Sequence, residues 1–454
     1  MISSRLLELL REWVPRQRWY TNKGRTPALS VVAQWELPSA EAGVDIRVHL
    51  LEDTSGERPV LFQIPVTSRT EPLVGSGALI GTDGATLYYD GPHDGAFADA
   101  VLALTVGAAN SGGGSDGALK GTGLTTLGHA KFGGSRVLSG EQSNTSIIVD
   151  TAVAGGTPAI CKIFRVLHPG ENPDVAVQCA LAAVGSAHVP KPLGYLTGTW
   201  TDPRSGRPAH GHVAFAQEFL PGVEDAWRVA LRAAAAGADF TEPARSLGAA
   251  TSDVHSDLAR AFPTVPATAE SIAAMVDGMR ERYRTARYDV PSLGEFADAV
   301  EAALTAAGTA QWPLLQRIHG DYHLGQVLWA PDRGWMLIDF EGEPLRPMDE
   351  RGHPDAPLRD VAGMLRSLSY VAGSVARSDG PHAAAAVTAW VEAARESFLN
   401  GYADASGHDP RDTAALLAAF ELDKALYEAR YEARNRPDWL PIPLQAVRRL
   451  CGLG

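Results

Sequence analysis

Two acidic segments in the C-terminal half constrain this chain more than any other feature. Residues 318–328 read IHGDYHLGQVL and residues 336–343 read MLIDFEGE, so Asp339 follows Asp321 by eighteen positions. Each segment combines a carboxylate with a short apolar stretch, and helical periodicity dominates the sequence around them. The pair therefore predicts short strands with acidic side chains near their ends, inside a mainly helical region.

These side chains are the ones that phosphoryl transfer requires, because its catalysis is mostly positioning and charge neutralisation. We expect Asp321 to accept the proton of a sugar hydroxyl or to orient that hydroxyl for attack. Gln326 offers an amide oxygen, and Asp339 and Glu341 offer carboxylate oxygens, which are the ligands that Mg²⁺ prefers. The spacing favours this interpretation over an ordinary turn followed by a buried strand.

The histidines of the region are interpreted differently. His319 and His323 are predicted mainly to brace the loop through hydrogen bonds, and His323 is also a candidate contact with the substrate. His255 lies on a predicted helix among apolar neighbours, so a buried structural histidine is the favoured interpretation there.

Composition excludes several classes of protein. The chain has 454 residues and a formal net charge of −13, which disfavours a nucleic-acid partner. It lacks an apolar stretch long enough for a membrane span, and its start does not resemble a signal peptide. Its three cysteines, Cys161, Cys179 and Cys451, are scattered, which favours reduced thiols and a cytoplasmic location. The oligomeric state is left open.

The order of patterns along the chain predicts an α+β, two-lobed protein-kinase-like fold with an N-terminal α+β cap domain. The predicted domains are the cap (1–105), a β-rich intermediate nucleotide-binding lobe (106–222) and a mostly helical C-lobe (223–454). A Gly-rich stretch at 107–123 is predicted to be a flexible linker or loop. Strands are predicted at 46–50, 60–66, 146–149, 159–164 and 213–220.

The intermediate lobe contains the candidates for ATP binding. Lys162 is a lone lysine in an apolar strand, so its ammonium must meet an anion or reach water. The ammonium either binds an ATP phosphate or reaches water from an edge strand. The acidic residues downstream favour the phosphate. The polar turn before this strand carries Ser143, Asn144 and Thr145, which could cover phosphates as glycine-rich loops do. The connector formed by Gln217, Glu218 and Phe219 is a weaker candidate for contact with adenine.

The segment 421–439 (ELDKALYEARYEARNRPDW) is the candidate sugar site. Residues four apart share a helix face, which pairs the two tyrosines with each other and two of the glutamates with each other. Aromatic faces next to carboxylates and amide or guanidinium donors suit a polyhydroxylated ligand, although a solvated, salt-bridged helix is the alternative. The candidates are Tyr427, Glu428, Tyr431, Glu432, Asn435, Arg436 and Trp439.

Together these motifs resemble the actinobacterial maltokinases, within the broader aminoglycoside-phosphotransferase-like kinases. The resemblance also includes RQRWY at 16–20, EQSNTS at 141–146, PLRDVAGM at 357–364 and the C-terminal segment through 444. It implies the three-part architecture and ATP- and Mg²⁺-dependent transfer of phosphate to a sugar, with Asp321 as base and with Gln326 and Asp339 on the metal. One departure is Ala176, where the family carries an acid that could pair with the strand lysine. Either Asp174 replaces that acid or Lys162 lacks such a partner.

The resemblance predicts maltose as the acceptor and maltose 1-phosphate as the product. The alternative is a monosaccharide kinase, foremost one that converts glucosamine to glucosamine 6-phosphate. An aminoglycoside phosphotransferase and a non-catalytic pseudokinase are less favoured. The pseudokinase has no need of all four of the residues Lys162, Asp321, Gln326 and Asp339.

Overall fold

The computed structural model describes residues 2–73, 75, 77–107, 117–125, 132–138, 143–151, 157–343, 350–379 and 381–452. The chain divides into two compact units, one made of residues 1–176 and 190–221 and the other of residues 177–189 and 222–454. Residues 108–116 of the predicted linker and residues 139–142 of the predicted phosphate-covering turn lie outside the described residues. Across the described part of the chain, no helix has the length and apolar character that a membrane span requires.

The first unit is built on two β-sheets. Its elements in chain order are α1 (Ser4–Trp13), β1 (Leu29–Leu37), β2 (Asp45–Asp53), β3 (Val60–Arg69), β4 (Leu79–Asp83), β5 (Thr86–Asp90), α2 (Gly95–Gly107), β6 (Leu119–Gly123), β7 (Phe132–Val137), β8 (Asn144–Thr151), β9 (Ala159–Phe164), β10 (Val166–Leu167), the start of α3 (Pro173–Ala183), β11 (Pro192–Thr201) and β12 (Pro208–Glu218). One sheet has the strand order β1-β2-β3-β5-β4 with β10 paired to β3, and the other has the order β6-β11-β12-β9-β8-β7. The strands predicted at 46–50, 60–66 and 159–164 are confirmed as parts of β2, β3 and β9.

The RQRWY segment is an anchor within this unit. Trp19 and Tyr20 are buried, and the Tyr20 hydroxyl donates a hydrogen bond of 2.8 Å to the carboxylate of Asp53. The fully buried guanidinium of Arg165 lies 4.9 Å from the centre of the Trp19 ring and 2.6 Å from Asp90. A buried cation with an aromatic face and a carboxylate beside it keeps much of its charge compensated. The conspicuous aromatic motif near the start of the chain therefore stabilises the fold of the first unit.

Both ends of the stretch predicted to be a linker, 107–123, belong to regular elements, and Gly107 is the last residue of α2. Residues 119–123 form β6, which pairs antiparallel with β11, and Leu119 is buried. Gly123 lies against the backbone carbonyl of Val106, where a β-carbon would collide with it. Glycine richness therefore reflects close backbone approach at this position, which composition alone cannot distinguish from flexibility.

The second unit is mainly helical. Its elements are the rest of α3, then β13 (Glu224–Asp225), α4 (Ala226–Ala235), α5 (Thr241–Ala261), α6 (Ala269–Asp289), α7 (Ala297–Thr309), β14 (Val327–Ala330), β15 (Gly334–Leu337), α8 (Leu358–Asp379), α9 (Pro381–Ser406), α10 (Ala414–Asn435) and α11 (Pro441–Leu450). The apolar positions predicted for α5 are buried in the core, as Leu247, Val254 and Leu258 show. Helix α10 packs against α6, α7, α8 and α11 and ends at Asn435, as Pro437 predicts.

A small antiparallel sheet positions the two acidic segments of this unit. Strands β13, β14 and β15 pair in that order, and β14 and β15 form a hairpin in which Val327 faces Leu337. The Asp321 segment leads into β14, and the Asp339 segment follows β15. Since both segments adjoin the same end of this hairpin, the fold brings together side chains that lie eighteen residues apart.

Candidate active site

The loop that carries Asp321 is held by a carboxylate of helix α8. The backbone N–H of His319 donates to Oδ2 of Asp360 at 2.7 Å, and the N–H of Gly320 donates to Oδ1 at 2.9 Å. The ring Nε2 of His319 lies 3.0 Å from the carbonyl oxygen of Ile338, next to Asp339. The loop is thus tied both to α8 and to the second acidic segment, which accords with a bracing role for His319.

Asp360 is itself supported from α5. His255 Nε2 lies 3.2 Å from Asp360 Oδ2, and Nδ1 lies 3.0 Å from the Tyr402 hydroxyl. Burial would raise the pKa of Asp360, but His255 and the backbone N–H groups outweigh burial and hold that pKa below its ordinary value. His255 is therefore a buried, hydrogen-bonded histidine, as predicted, and its partner is the residue that fixes the Asp321 loop.

Asp321 forms an ion pair that the sequence did not reveal. Its Oδ1 accepts a hydrogen bond of 2.9 Å from Lys424 Nζ on α10, and the two side chains are 19% and 22% exposed. Burial would raise the pKa of Asp321, yet Lys424 and His323 outweigh burial, and the pKa of this carboxyl lies below its ordinary value. Asp321 is consequently a carboxylate at neutral pH, the form that can accept a proton.

The predicted metal-binding residues lie together beyond β14 and β15. The amide nitrogen of Gln326 donates to Asp339 Oδ2 at 3.1 Å, and carboxylate oxygens of Asp339 and Glu341 lie within 4.8 Å of one another. Asp339 has a backbone φ of 67°, the left-handed conformation that is uncommon outside glycine and recurs at functional sites. Rotation of the Gln326 amide would direct its oxygen to the same place, so the donor set is one of oxygen atoms.

His323 has one local and one outward role. Its Nδ1 accepts a hydrogen bond of 3.0 Å from the backbone N–H of Gly325, at the start of the short turn Leu324–Gln326. Burial lowers the pKa of His323 to about 4, so the ring is neutral at physiological pH. The ring also lines a cavity beside the loop, so both predicted roles, bracing and substrate contact, fit its position.

That cavity has a volume of about 380 Å³ and lies against one face of α10. Its lining includes Lys424, Tyr427, Glu428, Tyr431 and Glu432, which follow each other at the spacing of a single helical face. The remaining lining residues are Asp225, Trp227, His323, Gly325, Gly363, Ser367, Tyr370, Arg436 and Trp439.

The carboxylates of this face are held by arginines. Both hydrogen bonds from the buried Arg366 end on Oε2 of Glu428, at 3.0 and 2.7 Å, so Oε1 takes no part in that ion pair. Glu432 receives two hydrogen bonds from Arg436, at 2.9 and 2.6 Å. The Arg436 guanidinium also lies 4.8 Å from the ring centre of Trp439. The arrangement gives the cavity fixed acceptors next to aromatic faces, which is what a polyhydroxylated ligand requires.

The residues predicted to form the sugar site differ from the residues that line the cavity. Asn435 does not line the cavity, and its side chain donates to the carbonyl oxygen of Tyr431 at 2.9 Å near the end of α10. Lys424, Trp227 and Tyr370 also line the cavity and were not predicted from the sequence. Lys424 precedes Tyr427 and Glu428 by three and four residues, a spacing that could have placed it on the same face. Trp227 and Tyr370 come from α4 and α8 and left no such signal.

In the first unit, Lys162 has an acidic partner. Its Nζ lies 3.1 Å from Oδ2 of Asp174, which is buried near the start of α3. The partner is therefore Asp174, two residues before the position of Ala176. The local geometry needed to orient a phosphate-binding lysine is present in this unit.

The other predicted nucleotide contacts lie on the same sheet. Asn144 begins β8, Ser143 directly precedes it, and the Thr145 hydroxyl accepts a hydrogen bond of 2.8 Å from Arg165. In the connector, the backbone N–H of Glu218 donates to the carbonyl oxygen of Lys191 at 2.9 Å, and that of Phe219 donates to the carbonyl oxygen of Pro158 at 2.8 Å. A nucleotide base at this connector would therefore meet groups other than these two N–H donors, and the contacts with Gln217, Glu218 and Phe219 stay predictions.

Comparison with known proteins identifies two regions. Residues 13–94 match the maltokinase N-terminal cap domain, and residues 135–418 match the phosphotransferase enzyme family. The second match covers more than half of the chain and includes both acidic segments.

Two curated relatives and one solved structure each align over a longer stretch of the chain than either of these regions. A glucosamine kinase of Streptacidiphilus jiangxiensis is 32% identical over 338 residues, which are 70% of this chain and 73% of that protein. A glucosamine kinase of Mycolicibacterium smegmatis is 33% identical over 337 residues, 71% of this chain and 80% of that protein. The structure of a glucosamine kinase in complex with glucosamine, ADP and inorganic phosphate has the same fold, with a TM-score of 0.66, 24% identity and 98% of each chain covered. The chain therefore belongs to the phosphotransferase enzyme family, as an ATP-dependent kinase with a maltokinase-type N-terminal cap domain.

Proposed function

We propose that this protein transfers the γ-phosphate of ATP to the primary hydroxyl of glucosamine and produces glucosamine 6-phosphate. The observation that carries the proposal is the continuous face of α10, on which Lys424 reaches Asp321 while Glu428 and Glu432 line the adjoining cavity. The two glucosamine kinases that share about a third of their aligned residues with this chain support the choice of sugar.

Asp321 is the proposed base. In this reaction the acceptor O–H bond breaks as its proton moves to Asp321, and the acceptor oxygen forms a bond to the γ-phosphorus. The bond between that phosphorus and the β–γ bridging oxygen breaks, which releases ADP. His319 and Asp360 hold the loop in place, so Asp321 need not reorganise during the transfer.

Gln326, Asp339 and Glu341 are the proposed ligands of Mg²⁺. All three side chains offer oxygen ligands. The carboxylates of Asp339 and Glu341 lie near one another, and a divalent cation between them would relieve the repulsion of their negative charges. A bound Mg²⁺ supplies charge neutralisation for the phosphates. The residues themselves contribute a fixed acceptor set at the end of the β14–β15 hairpin.

Lys162, oriented by Asp174, is the proposed partner of the ATP phosphates. Ser143, Asn144 and Thr145 are proposed to lie near the phosphates through backbone N–H groups or hydroxyls. Gln217, Glu218 and Phe219 are the proposed connector to the adenine.

The amino group is the feature that separates glucosamine from neutral sugars. Glu428 is held through one oxygen by Arg366 and offers the other to a ligand. An ammonium donating to a carboxylate forms a charge-assisted bond, roughly twice as strong as one between neutral partners. Tyr427, Tyr431 and Trp439 provide faces for the sugar C–H groups, and Arg436 and His323 provide further hydrogen-bonding groups. This donor and acceptor set fits a small amino sugar.

Maltose is the second candidate acceptor, at its anomeric hydroxyl, with maltose 1-phosphate as product. The match of residues 13–94 to the maltokinase N-terminal cap domain favours it. A cavity of about 380 Å³ is compatible with either sugar, so the size of the site does not decide between them.

The test is ATP consumption with Mg²⁺ over glucosamine, glucose, N-acetylglucosamine, maltose and kanamycin, with the phosphorylated carbon of the best substrate located by NMR. We expect glucosamine to turn over fastest and to carry phosphate on its primary alcohol. Fastest turnover of maltose at its anomeric carbon would overturn that choice in favour of the second candidate, and turnover with none of the sugars would refute both.

A variant at the base separates catalysis from binding. Asp321→Asn should reduce turnover by at least about a hundredfold, the usual contribution of a positioned base, while nucleotide binding measured by calorimetry stays near that of the unaltered protein. Near-native turnover of Asp321→Asn would show that another group accepts the proton.

A further inference from the structure

Lys424 is the residue at which the helix facing the sugar cavity meets the loop of the proposed base. It lies on the same face of α10 as Tyr427 and Glu428, which follow it by three and four residues. It lines the 380 Å³ cavity, and it also lines a much smaller cavity of about 20 Å³ that adjoins Glu343 and Asp423. Its Nζ reaches Asp321 at 2.9 Å.

The surroundings make this pair stronger than an exposed ion pair. About a fifth of each side chain is exposed, so solvent screens the two charges only in part. The Lys424 ammonium also lies 4.9 Å from the ring centre of Tyr427, which favours one position of the long side chain. An ordered lysine can hold Asp321 in one orientation, whereas a solvated one would not.

The other charged and titratable groups that face the pair come from two loops and one helix. They are His319 and His323 from the loop of Asp321, Asp339, Glu343 and Arg351 from the region after β15, and Tyr427 and Glu428 from α10. The direct hydrogen bond to the carboxylate of Asp321 comes from Lys424 itself.

We propose that Lys424 is a positioning residue, whose ammonium holds Asp321 ionised and oriented at the end of the sugar cavity so that the acceptor hydroxyl binds to the remaining carboxylate oxygen. The hydrogen bond to Lys424 uses Oδ1 of Asp321, which leaves Oδ2 for the substrate. This inference rests on the proposed function and extends it to a residue that does not itself exchange a proton.

The sign of the pH effect follows from the surroundings of Asp321. Burial raises its pKa, and the positive charge of Lys424, with His323, brings that pKa below its ordinary value. The base is active only above its pKa, so activity is lost as the pH falls through that value. Removal of the ammonium leaves burial in place, and the acid limb of the kcat/KM profile should move to higher pH by about 1–3 units.

The experiment compares Lys424→Met, Lys424→Arg and Arg430→Met with the unaltered protein. Arg430 lies on the same helix and pairs with Asp289 at 2.7 Å, and it is not among the lining residues of the cavity. Arg430→Met therefore removes one cation of α10 without a change at Asp321. The pH dependence of kcat/KM is recorded with whichever sugar the unaltered protein phosphorylates, and thermal unfolding is recorded for each variant.

We expect the acid limb to shift upward in Lys424→Met, to return close to its original position in Lys424→Arg, and to stay in place in Arg430→Met. A uniform loss of activity in Lys424→Met with an unmoved acid limb would overturn the role of Lys424. Should Lys424→Met fail to fold, Lys424→Gln gives the same comparison with a polar side chain. Turnover of none of the sugars by the unaltered protein refutes the proposed function instead, so the two failures are distinguishable.

Discussion

Asp360 offers the sharpest test of how the active loop is held. Its carboxylate accepts three hydrogen bonds, two from the backbone N–H groups of His319 and Gly320 and one from His255. Asp360→Asn keeps the size of the side chain but replaces one acceptor oxygen by an amide nitrogen, which cannot accept. One or two buried donors then lose their partner, and a donating amide faces another donor.

These contacts set the expected loss of stability in Asp360→Asn. A buried donor left without an acceptor costs about 1–3 kcal/mol, so one or two such donors should lower the free energy of unfolding by about 1–6 kcal/mol. The loop should also lose its fixed position, so kcat should fall together with stability, because small misplacements of a reacting group are expensive.

The measurement is urea unfolding followed by tryptophan fluorescence and far-UV circular dichroism, with kcat determined in parallel. Glu301→Gln is the matched control, since Glu301 pairs with Arg280 at 2.7 Å but is 57% exposed; we expect it to change stability by less than about 1 kcal/mol. An Asp360→Asn protein within about 0.5 kcal/mol of the original, the range of ordinary surface substitutions, would refute the idea that this carboxylate anchors the loop.

Two further predictions concern the first unit and the response to acid. Asp174→Asn should raise the KM for ATP several-fold with little change in the KM for the sugar, because Lys162 loses a charged partner. Lys120→Met, at an exposed position of β6, is the control. Equal changes in both KM values would contradict the assignment of Lys162 to the ATP phosphates. Burial raises the pKa of Asp423, but the arginines Arg282 and Arg359 outweigh it and lower that pKa to about 2. Since an unfolded aspartate titrates near ~3.9, the unfolded state binds more protons at low pH, and the stabilisation from Asp423 is present above about pH 5 and lost as the pH falls towards 2. A urea unfolding midpoint that stays constant as the pH is lowered from about 5 to about 2 would contradict this prediction.

Local patterns were sufficient for much of the architecture. Alternating apolar residues identified β2, an apolar run identified β9, helical spacing identified the buried face of α5, and Pro437 marked the end of α10. These features depend on neighbours in the sequence, since strand and helix periodicities come from the backbone itself. The acidic segments likewise indicated phosphotransferase chemistry, because that chemistry needs particular residue types at short spacing.

Tertiary structure alone decided which distant residues meet. Nothing in the sequence pairs Lys424 with Asp321 across 103 positions, or brings Asp360 to the backbone of His319 and Gly320. The sequence also left open whether Lys162 has an acidic partner, and only the packing of α3 places Asp174 beside it. The composition of the Gly-rich stretch could not reveal β6, because glycine occurs both where two backbones approach closely and where a segment is flexible. Sequence thus determined the elements and the reaction class, whereas the fold determined the partners that set charge and orientation, because such partners are selected by distance in space and not by distance along the chain.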